Sequence, residues 1–388
     1  MTASPPAAPR RLWVLYIGGF MGPFGGGIVN TMLPELADGL DTSVHSASLS
    51  ITWYLAPMAA LLLVSGTIAT RFGAANVVRL GYAAYAVSSL ACALITSLPL
   101  FLGARAVQGA ANAFLTPVLI ALVVAASPPG RQGRALGGYA AAQAAGQAFS
   151  PLAGGLAAAV DWRLAFYASA VAALLLAVAT PSGPRGSASR TRGSWRSLFT
   201  ARLGATAYAS AASQVVSGFL LLAAALIATD RFGLDPVQRG LVVVAYGVAG
   251  MVLAPAVGAW ADRAGIWTVA LTAGLSLAVA GLTGLLAPSL VVLVAAVFLC
   301  GIGATSIRIA SNTYAMASAP TNGAGATSIA QAAQFAGGSF APALLPLFAR
   351  SPLQAGIVLA LVALSGMVVV SLPRAHRQKS DPGDTMES

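Results

Sequence analysis

The chain has 388 residues, of which 57% are hydrophobic and 8% charged, and its mean hydropathy is +0.81. Soluble domains carry about 25% charged residues, so this composition excludes an ordinary soluble fold. The formal net charge is +11, but the basic residues are spread over short breaks between apolar runs, which argues against a nucleic-acid partner.

Apolar runs long enough to cross a bilayer follow one another along the whole chain. Six fall in the first part of the sequence, at about 12–34, 46–69, 77–97, 99–126, 135–160 and 162–180. Six more follow at about 203–229, 238–261, 267–287, 289–317, 325–349 and 352–372. The sequence therefore predicts an all-α membrane protein with twelve transmembrane helices, in an N-terminal six-helix bundle over 12–180 and a C-terminal one over 202–373.

Between the two predicted bundles, residues 181–201 are rich in Ser, Gly, Pro and Arg and are predicted to form a flexible linker. In a six-plus-six arrangement, fifteen basic residues fall on the side of this linker and of the tails, 1–11 and 374–388, and four on the other side. Because Arg and Lys are retained in cytoplasmic loops, both termini and the linker are expected to be cytoplasmic. Basic residues are almost all arginine, with Lys379 as the single lysine, which suggests a GC-rich bacterial genome and hence the inner membrane.

The two predicted bundles repeat each other at an offset of 191 or 192 residues. One group of four residues recurs at this offset: Gly66, Ala69, Arg71 and Gly73 correspond to Gly258, Ala261, Arg263 and Gly265. A second group recurs from 142–151 to 333–342, with six identities in ten positions. Repetition of Gln, Phe, Pro and Arg in register indicates a duplication in which equivalent helices keep the same orientation, so an axis along the membrane normal relates the bundles.

Two loops carry a motif that resembles the GxxxDRxG loop of the major facilitator superfamily. The second copy, from Gly258 to Gly265, contains Asp262 and Arg263. The first copy, from Gly66 to Gly73, keeps Arg71 but has Thr70 in place of the acid.

Further motifs are similar to elements of the same superfamily. Arg105 with Gln108-Gly109 resembles its RxxQG element. The spacing of Gly137, Gly146, Pro151 and Gly154 resembles its Gly/Pro-rich antiporter element, in which small residues let helices approach closely and proline supplies a bend. The segments 28–30 (Ile-Val-Asn) and 161–163 (Asp-Trp-Arg) resemble two drug-exporter signatures.

The resemblance implies a twelve-helix transporter of the drug:proton antiporter branch, working by alternating access, and not an enzyme. It also implies that the Asp262 loop braces the cytoplasmic side by contacting a helix N-terminus and a nearby Arg. The residues predicted on this basis to control conformation are Gly66, Arg71, Gly73, Gly146, Pro151, Gly154, Gly258, Asp262, Arg263 and Gly265.

No acidic residue lies near the middle of a predicted span. Proton coupling, which the resemblance implies, therefore lacks its usual intramembrane carboxylate. Glu35 and His45 remain candidate titratable groups on the outer side, and the favoured interpretation is that each is a solvated loop residue. Two histidines, and two cysteines inside apolar runs, provide neither a metal cluster nor a nucleophile with its base, so no cofactor is expected.

Two charges, Arg105 and Arg308, lie plainly inside predicted spans, where each needs water or polar partners. Arg105 shares one helix face with Gln108 and Asn112, and Arg308 shares another with Asn312. The predicted substrate cavity comprises Asn30, Arg105, Gln108, Asn112, Gln143, Gln147, Arg308, Asn312, Gln331 and Gln334. The alternative, that these polar faces bond between helices, is left open.

These observations predict a monomeric secondary transporter in the lipid bilayer that exports small amphipathic molecules, either drugs or metabolites. The alternative within transport is a carrier for a small organic or inorganic anion bound by Arg105 and Arg308. A membrane-embedded enzyme or receptor is less favoured, because neither a catalytic constellation nor a sizeable extramembrane domain is visible in the sequence.

Overall fold

The computed structural model describes residues 8–128, 130–180, 200–318 and 323–379, which are helical almost throughout and contain no strand. The first set of helices comprises α1 (Ala8–Gly27), α2 (Leu33–Gly39), α3 (Val44–Phe72), α4 (Ala74–Leu94), α5 (Leu98–Ala113), α6 (Thr116–Ala126), α7 (Gln132–Ala158) and α8 (Arg163–Ala179). The second set comprises α9 (Ala201–Asp230), α10 (Pro236–Ala264), α11 (Ile266–Leu285), α12 (Leu290–Ser318), α13 (Gly323–Ser339), α14 (Leu345–Arg350) and α15 (Pro352–Lys379). Short 3-10 helices at Ile28–Thr31 and Ala341–Leu344 follow α1 and α13.

Nine helical stretches within the described ranges are long and apolar enough to cross a bilayer. Two further apolar helices, Arg163–Ala179 and Pro352–Val368, are shorter. α7 has 27 residues but is rich in Gly, Ala and Gln, because it packs against protein on two sides. The prediction of an all-helical membrane protein is confirmed, while the number of crossings stays a prediction.

Prolines divide two of the predicted spans. The predicted span 99–126 consists of α5 and α6, which are separated just before Pro117, a residue without an amide donor that clashes with the preceding helical turn. The predicted span 325–349 is divided in the same way at Pro342 and Pro346.

The described helices extend into both predicted tails, since α1 begins at Ala8 and α15 ends at Lys379. The rest of those tails and nearly all of the predicted linker, 181–199, lie outside the described residues.

The repeat seen in the sequence is present in the packing as well. A Cβ on Gly146 would lie 2.1 Å from the carbonyl oxygen of Phe20, and one on Gly337 would lie 2.2 Å from that of Ala211, so the same contact recurs 191 residues later. α3 and α10 are both 29 residues long, and the glycine that follows each has a positive φ. Equivalent sequence positions therefore have equivalent contacts.

The two sets of helices meet along α7 and α10, where small residues allow close approach. A Cβ on Gly247 would lie 2.2 Å from the Cα of Ala148, and a Cβ on Gly155 would lie 2.2 Å from the carbonyl oxygen of Pro236. α3 and α13 also meet across the sets, and Thr52 Oγ1 donates to the carbonyl of Ser339 at 2.6 Å.

Contacts between the sets identify one end of the bundle. The end of α7 near Ala158 lies beside the beginning of α10 at Pro236, and we call this end of the bundle the distal end. Because successive long helices alternate in direction, the opposite end, which we call the proximal end, contains the end of α3 at Phe72, the end of α10 at Ala264, and the end of α15.

Candidate functional site

A central cavity of about 190 Å³ lies between the two sets of helices. Because a water molecule needs about 10–15 Å³ in this measure, the cavity has room for roughly a dozen waters or a small organic molecule. Both sets of helices contribute to its wall, so any relative movement of the sets changes its shape.

Five glutamines, one asparagine and one arginine contribute amide and guanidinium groups to the wall. The first set contributes three of them: Asn30, Gln143 and Gln147. The second set contributes four: Gln214, Arg308, Gln331 and Gln334. Six of these seven belong to the cavity predicted from the sequence, so the structure brings those six together.

Arg308 connects the two sets across the cavity. Its Nη1 donates to Oε1 of Gln147 on α7 at 3.1 Å, and its side chain is half-buried. Two ion pairs occur among the described residues, Arg163–Asp161 and Arg239–Glu35, and Arg308 belongs to neither. The cavity therefore contains a cation whose described partner is a neutral amide.

The rest of the cavity wall is largely apolar. It includes Ile51, Leu55 and Met58 on α3, Leu221 on α9 and Phe335 on α13. The rings of Tyr54 and Tyr246 add amphipathic surface. Such a wall suits a ligand with an apolar body and a few polar groups.

Arg105 does not line the cavity, contrary to the sequence prediction. It is fully buried in the first set, donates to the carbonyls of Gly25 and Ser50 at 3.4 Å and to Oε1 of Gln108, and lies 4.3 Å from the centroid of the Tyr54 ring. The acceptors are backbone carbonyls of α1 and α3, which no sequence pattern reveals.

Gln108 and Asn112 are likewise buried behind the cavity wall. Gln108 donates to Ser89 Oγ at 2.6 Å, and Asn112 donates to the carbonyl of Gly22 at 3.0 Å and to the Tyr54 hydroxyl at 2.7 Å. Asn312 is half-buried and does not line the cavity either. For the α5 face, the alternative of hydrogen bonds between helices is the observed arrangement.

Glu35 and Arg239 form an ion pair that the sequence analysis missed. The sequence favoured a solvated loop position for Glu35 and did not single out Arg239, yet Arg239 is 1% exposed and contacts Glu35 across the two sets. Gln214 was missed too; it accepts a hydrogen bond from Gln334 Nε2 at 3.1 Å. Its position as a polar residue inside the run 203–229 was the available signal.

The two loops with the GxxxDRxG-like motif lie at the proximal end. Gly73 and Gly265 adopt φ values of +87° and +81°, which only glycine tolerates readily, and thereby join consecutive helices. Arg71, Asp262 and Arg263 are exposed, and a Cβ on Gly66 or Gly258 would meet nothing within 4 Å. Among the described residues Asp262 has no hydrogen bond or ion pair, so the brace implied by the resemblance is not formed here.

The predicted conformational residues of α7 lie in tight helix contacts. A Cβ on Gly154 would lie 2.2 Å from the carbonyl oxygen of Ile28, and Thr31 Oγ1 donates to the carbonyl of Pro151 at 2.8 Å. The carbonyl of Pro151 also lies against Gly240 of α10. α7 thus connects the beginning of the first set to the second set.

Comparison with protein families assigns the chain. The sequence model of the Major Facilitator Superfamily matches residues 15–342, and a second match covers residues 206–387. The chain belongs to this superfamily. It is therefore a multi-pass membrane protein of a transporter superfamily, and the prediction that it is not an enzyme is confirmed.

Curated relatives of this chain include drug-resistance proteins. Puromycin resistance protein pur8 of Streptomyces alboniger is 34% identical over 172 residues, which cover 43% of this chain and 34% of that protein. Methylenomycin A resistance protein of Streptomyces coelicolor is 32% identical over 174 residues, 42% of this chain and 37% of that protein. The uncharacterized MFS-type transporter Rv1250 of Mycobacterium tuberculosis is 31% identical over 161 residues, which cover 40% of this chain and 27% of that protein. The matches span about a third of the length of these relatives.

Solved transporters share the fold of this chain. A bacterial homologue of the human lysosomal transporter Spinster, in an inward-facing and occupied conformation, has a TM-score of 0.75 and 14% identity, covering 98% of this chain and 100% of that chain. A POT family transporter in complex with 5-aminolevulinic acid has a TM-score of 0.75 and 14% identity, covering 94% of this chain and 96% of that chain. At this identity the likeness shows the fold alone.

Proposed function

We propose that the protein is a secondary active exporter of small amphipathic molecules, drugs or metabolites, in the bacterial inner membrane. It acts as a monomer with twelve crossings in two six-helix halves and with both termini in the cytoplasm. The central cavity is its substrate site. It works by alternating access, in which the two halves rock about this site.

The observation that carries the proposal is the position of the cavity relative to the contacts between the two sets. The sets touch at the distal end through the Glu35–Arg239 pair, the bond from Thr52 to Ser339, and the α7–α10 packing. At the proximal end the loops at Arg71 and Asp262 are exposed. A cavity closed by separable contacts at one end is the arrangement that a rocking transporter requires.

The composition of the wall supports an amphipathic substrate, because apolar side chains and five glutamines face the same space. The drug-resistance relatives support export as the direction. The proton gradient is proposed as the driving force on the resemblance to drug:proton antiporters. Glu35 is the carboxylate that joins the two sets, while the described cavity wall contains none.

Transport in proteoliposomes tests this proposal. Purified protein is reconstituted, and counterflow is measured for a panel of cationic, neutral and anionic amphipathic dyes, with protein-free liposomes as the control. Exchange of at least one dye, accelerated by an imposed pH difference, is expected. If no dye exchanges while hydrophilic inorganic anions do, the protein is an anion carrier instead of an exporter of amphipathic molecules.

A further inference from the structure

The central cavity has a positive charge without a described counter-ion. Arg308 is the single charged side chain among the residues that line it. Neither an aspartate nor a glutamate belongs to the described wall, and its other polar groups are amides, hydroxyls and backbone atoms. A half-buried guanidinium beside a largely apolar wall attracts an anion and repels a cation more strongly than it would in bulk water.

A second arginine reinforces this positive field. Arg105 lies behind the wall, with its guanidinium carbon 4.3 Å from the ring centroid of Tyr54, which does line the cavity. The hydrogen-bond acceptors described for Arg105 are two backbone carbonyls and the amide of Gln108, all neutral. The positive charge of Arg105 therefore also raises the electrostatic potential in the cavity, and no described carboxylate neutralises it.

Arg308 also retains most of its hydrogen-bonding capacity. A guanidinium has five N–H donors in a planar fork that matches a carboxylate or phosphate. Within the described residues one of these donors is used, on the Oε1 atom of Gln147. The amide oxygen therefore occupies one of the positions that a ligand oxygen would take.

We infer that the substrate carries an anionic group, such as a carboxylate, sulfonate or phosphate, that binds the Arg308 guanidinium in place of the Gln147 amide oxygen. The inference rests on the proposed export function and narrows it to acidic amphipathic molecules. The apolar body of the substrate then lies against the wall formed by Leu55, Leu221 and Phe335.

This mode of binding connects recognition with movement. The bond from Arg308 to Gln147 joins α12 to α7 and thus joins the two sets. A bound anion that takes over the Arg308 donors removes that bond and leaves the Gln147 amide free to donate to the same anion. Occupancy of the site thereby replaces a direct contact between the sets by a contact through the substrate.

The test uses two dyes that share a xanthene ring and differ in charge, anionic fluorescein and cationic rhodamine 123. Binding to the detergent-purified full chain is measured by fluorescence anisotropy for wild type, Arg308→Gln and Arg308→Lys. Thr313→Ala is the control on the same helix, because Thr313 is exposed and donates to the carbonyl of Ile309. Monodisperse elution in size-exclusion chromatography establishes folding of each variant.

Wild type is expected to bind fluorescein more tightly than rhodamine 123. Arg308→Gln should weaken fluorescein binding about tenfold to a hundredfold, the range for loss of a charged hydrogen bond. Arg308→Lys, which keeps the charge but loses the fork, should weaken it less, and Thr313→Ala should leave it unchanged. Rhodamine 123 should bind Arg308→Gln at least as well as it binds wild type.

Equal fluorescein affinities of wild type and Arg308→Gln, or tighter binding of rhodamine 123 than of fluorescein to wild type, overturn the inference. Transport of both dyes in proteoliposomes separates this result from failure of the proposed function. If rhodamine 123 is exported and fluorescein binding does not depend on Arg308, the proposed export function stands. The inferred preference for anionic substrates is then wrong. If fluorescein binding depends on Arg308 but neither dye is transported, the inferred anion site stands. The proposed export function is then wrong.

Discussion

Arg239, near the beginning of α10, pairs with Glu35 of α2 and also donates to Thr229 Oγ1 at 3.0 Å, so a charge of the second set is neutralised by a residue of the first. The side chain of Arg239 is 2% exposed and that of Glu35 is 26% exposed. Within the described residues, Nε of Arg239 and Oε2 of Glu35 have no partner. Burial of an incompletely bonded pair stabilises little in net terms, which suits a contact that must open and close.

Substitution of Glu35 by Gln should therefore open the distal end, because the buried Arg239 loses its counter-ion and gains by reaching water. We expect a membrane-impermeant thiol reagent, added outside, to label a cavity reporter, Asn30→Cys, several times faster in Glu35→Gln than in its parent. The measurement is made after both native cysteines, Cys92 and Cys300, have been replaced by serine.

Asp161→Asn is the matched control for this experiment. Asp161 is also a carboxylate at the distal end, but its partner Arg163 belongs to the same set and both side chains are partly exposed. Its substitution should leave the labelling rate unchanged. Equal rates in Glu35→Gln and Asp161→Asn would mean that the ion pair does not hold the distal end closed.

Arg105 is expected to determine stability. Arg105→Gln leaves two carbonyl acceptors and the Gln108 amide without their charged donor, and this should lower the free energy of unfolding by about 2–4 kcal/mol. Arg163→Gln at the surface should change it by less than about 1 kcal/mol. Thermal unfolding of the purified variants in detergent measures both, and indistinguishable midpoints would contradict the structural role of Arg105.

Gly247 and Gly258 provide a matched pair on α10. Gly247→Ala places a Cβ 2.2 Å from the Cα of Ala148 and should destabilise the protein by about 1–3 kcal/mol through overpacking between the two sets. Gly258→Ala meets nothing within 4 Å and should stabilise the helix by about 0.5–1 kcal/mol. Thermal unfolding distinguishes the two. An unchanged midpoint for Gly247→Ala would show that the α7–α10 contact is looser than described.

The proximal loops are expected to act when the proximal end closes. Asp262 is exposed here, so Asp262→Asn should leave expression and thermal unfolding near those of wild type while strongly lowering the transport rate. Thr70→Asp, which restores the acid in the first copy of the motif, should be tolerated. Dye counterflow at matched protein density measures both variants. If Asp262→Asn transports dye at the wild-type rate, this loop is only a surface turn.

The fifteen-to-four distribution of basic residues predicts the orientation of the chain in the membrane. Reporter fusions placed after Arg377 and within residues 181–200 should both show a cytoplasmic location. Alkaline phosphatase and green fluorescent protein, active on opposite sides, check each fusion point twice. A periplasmic result at either point would remove the six-plus-six arrangement.

The sequence by itself determined the class of protein and the superfamily. Hydropathy runs of membrane-spanning length, the repeat at 191 to 192 residues and the GxxxDRxG-like loops are local patterns, and local patterns are legible without coordinates. Six residues that the same reasoning predicted for the cavity line its described wall, since a polar side chain in an apolar span has to face protein or water.

The tertiary structure decided which polar residues face the cavity and which are sealed behind it. Arg105 and Arg308 look alike in sequence, as arginines on polar helix faces, but Arg105 is enclosed by the carbonyls of α1 and α3 whereas Arg308 is left with one amide. Glu35 and Arg239 are 204 residues apart, and no periodicity connects them. Long-range contacts of this kind depend on how helices cross in space, because each side chain's environment is set by its neighbours on other helices.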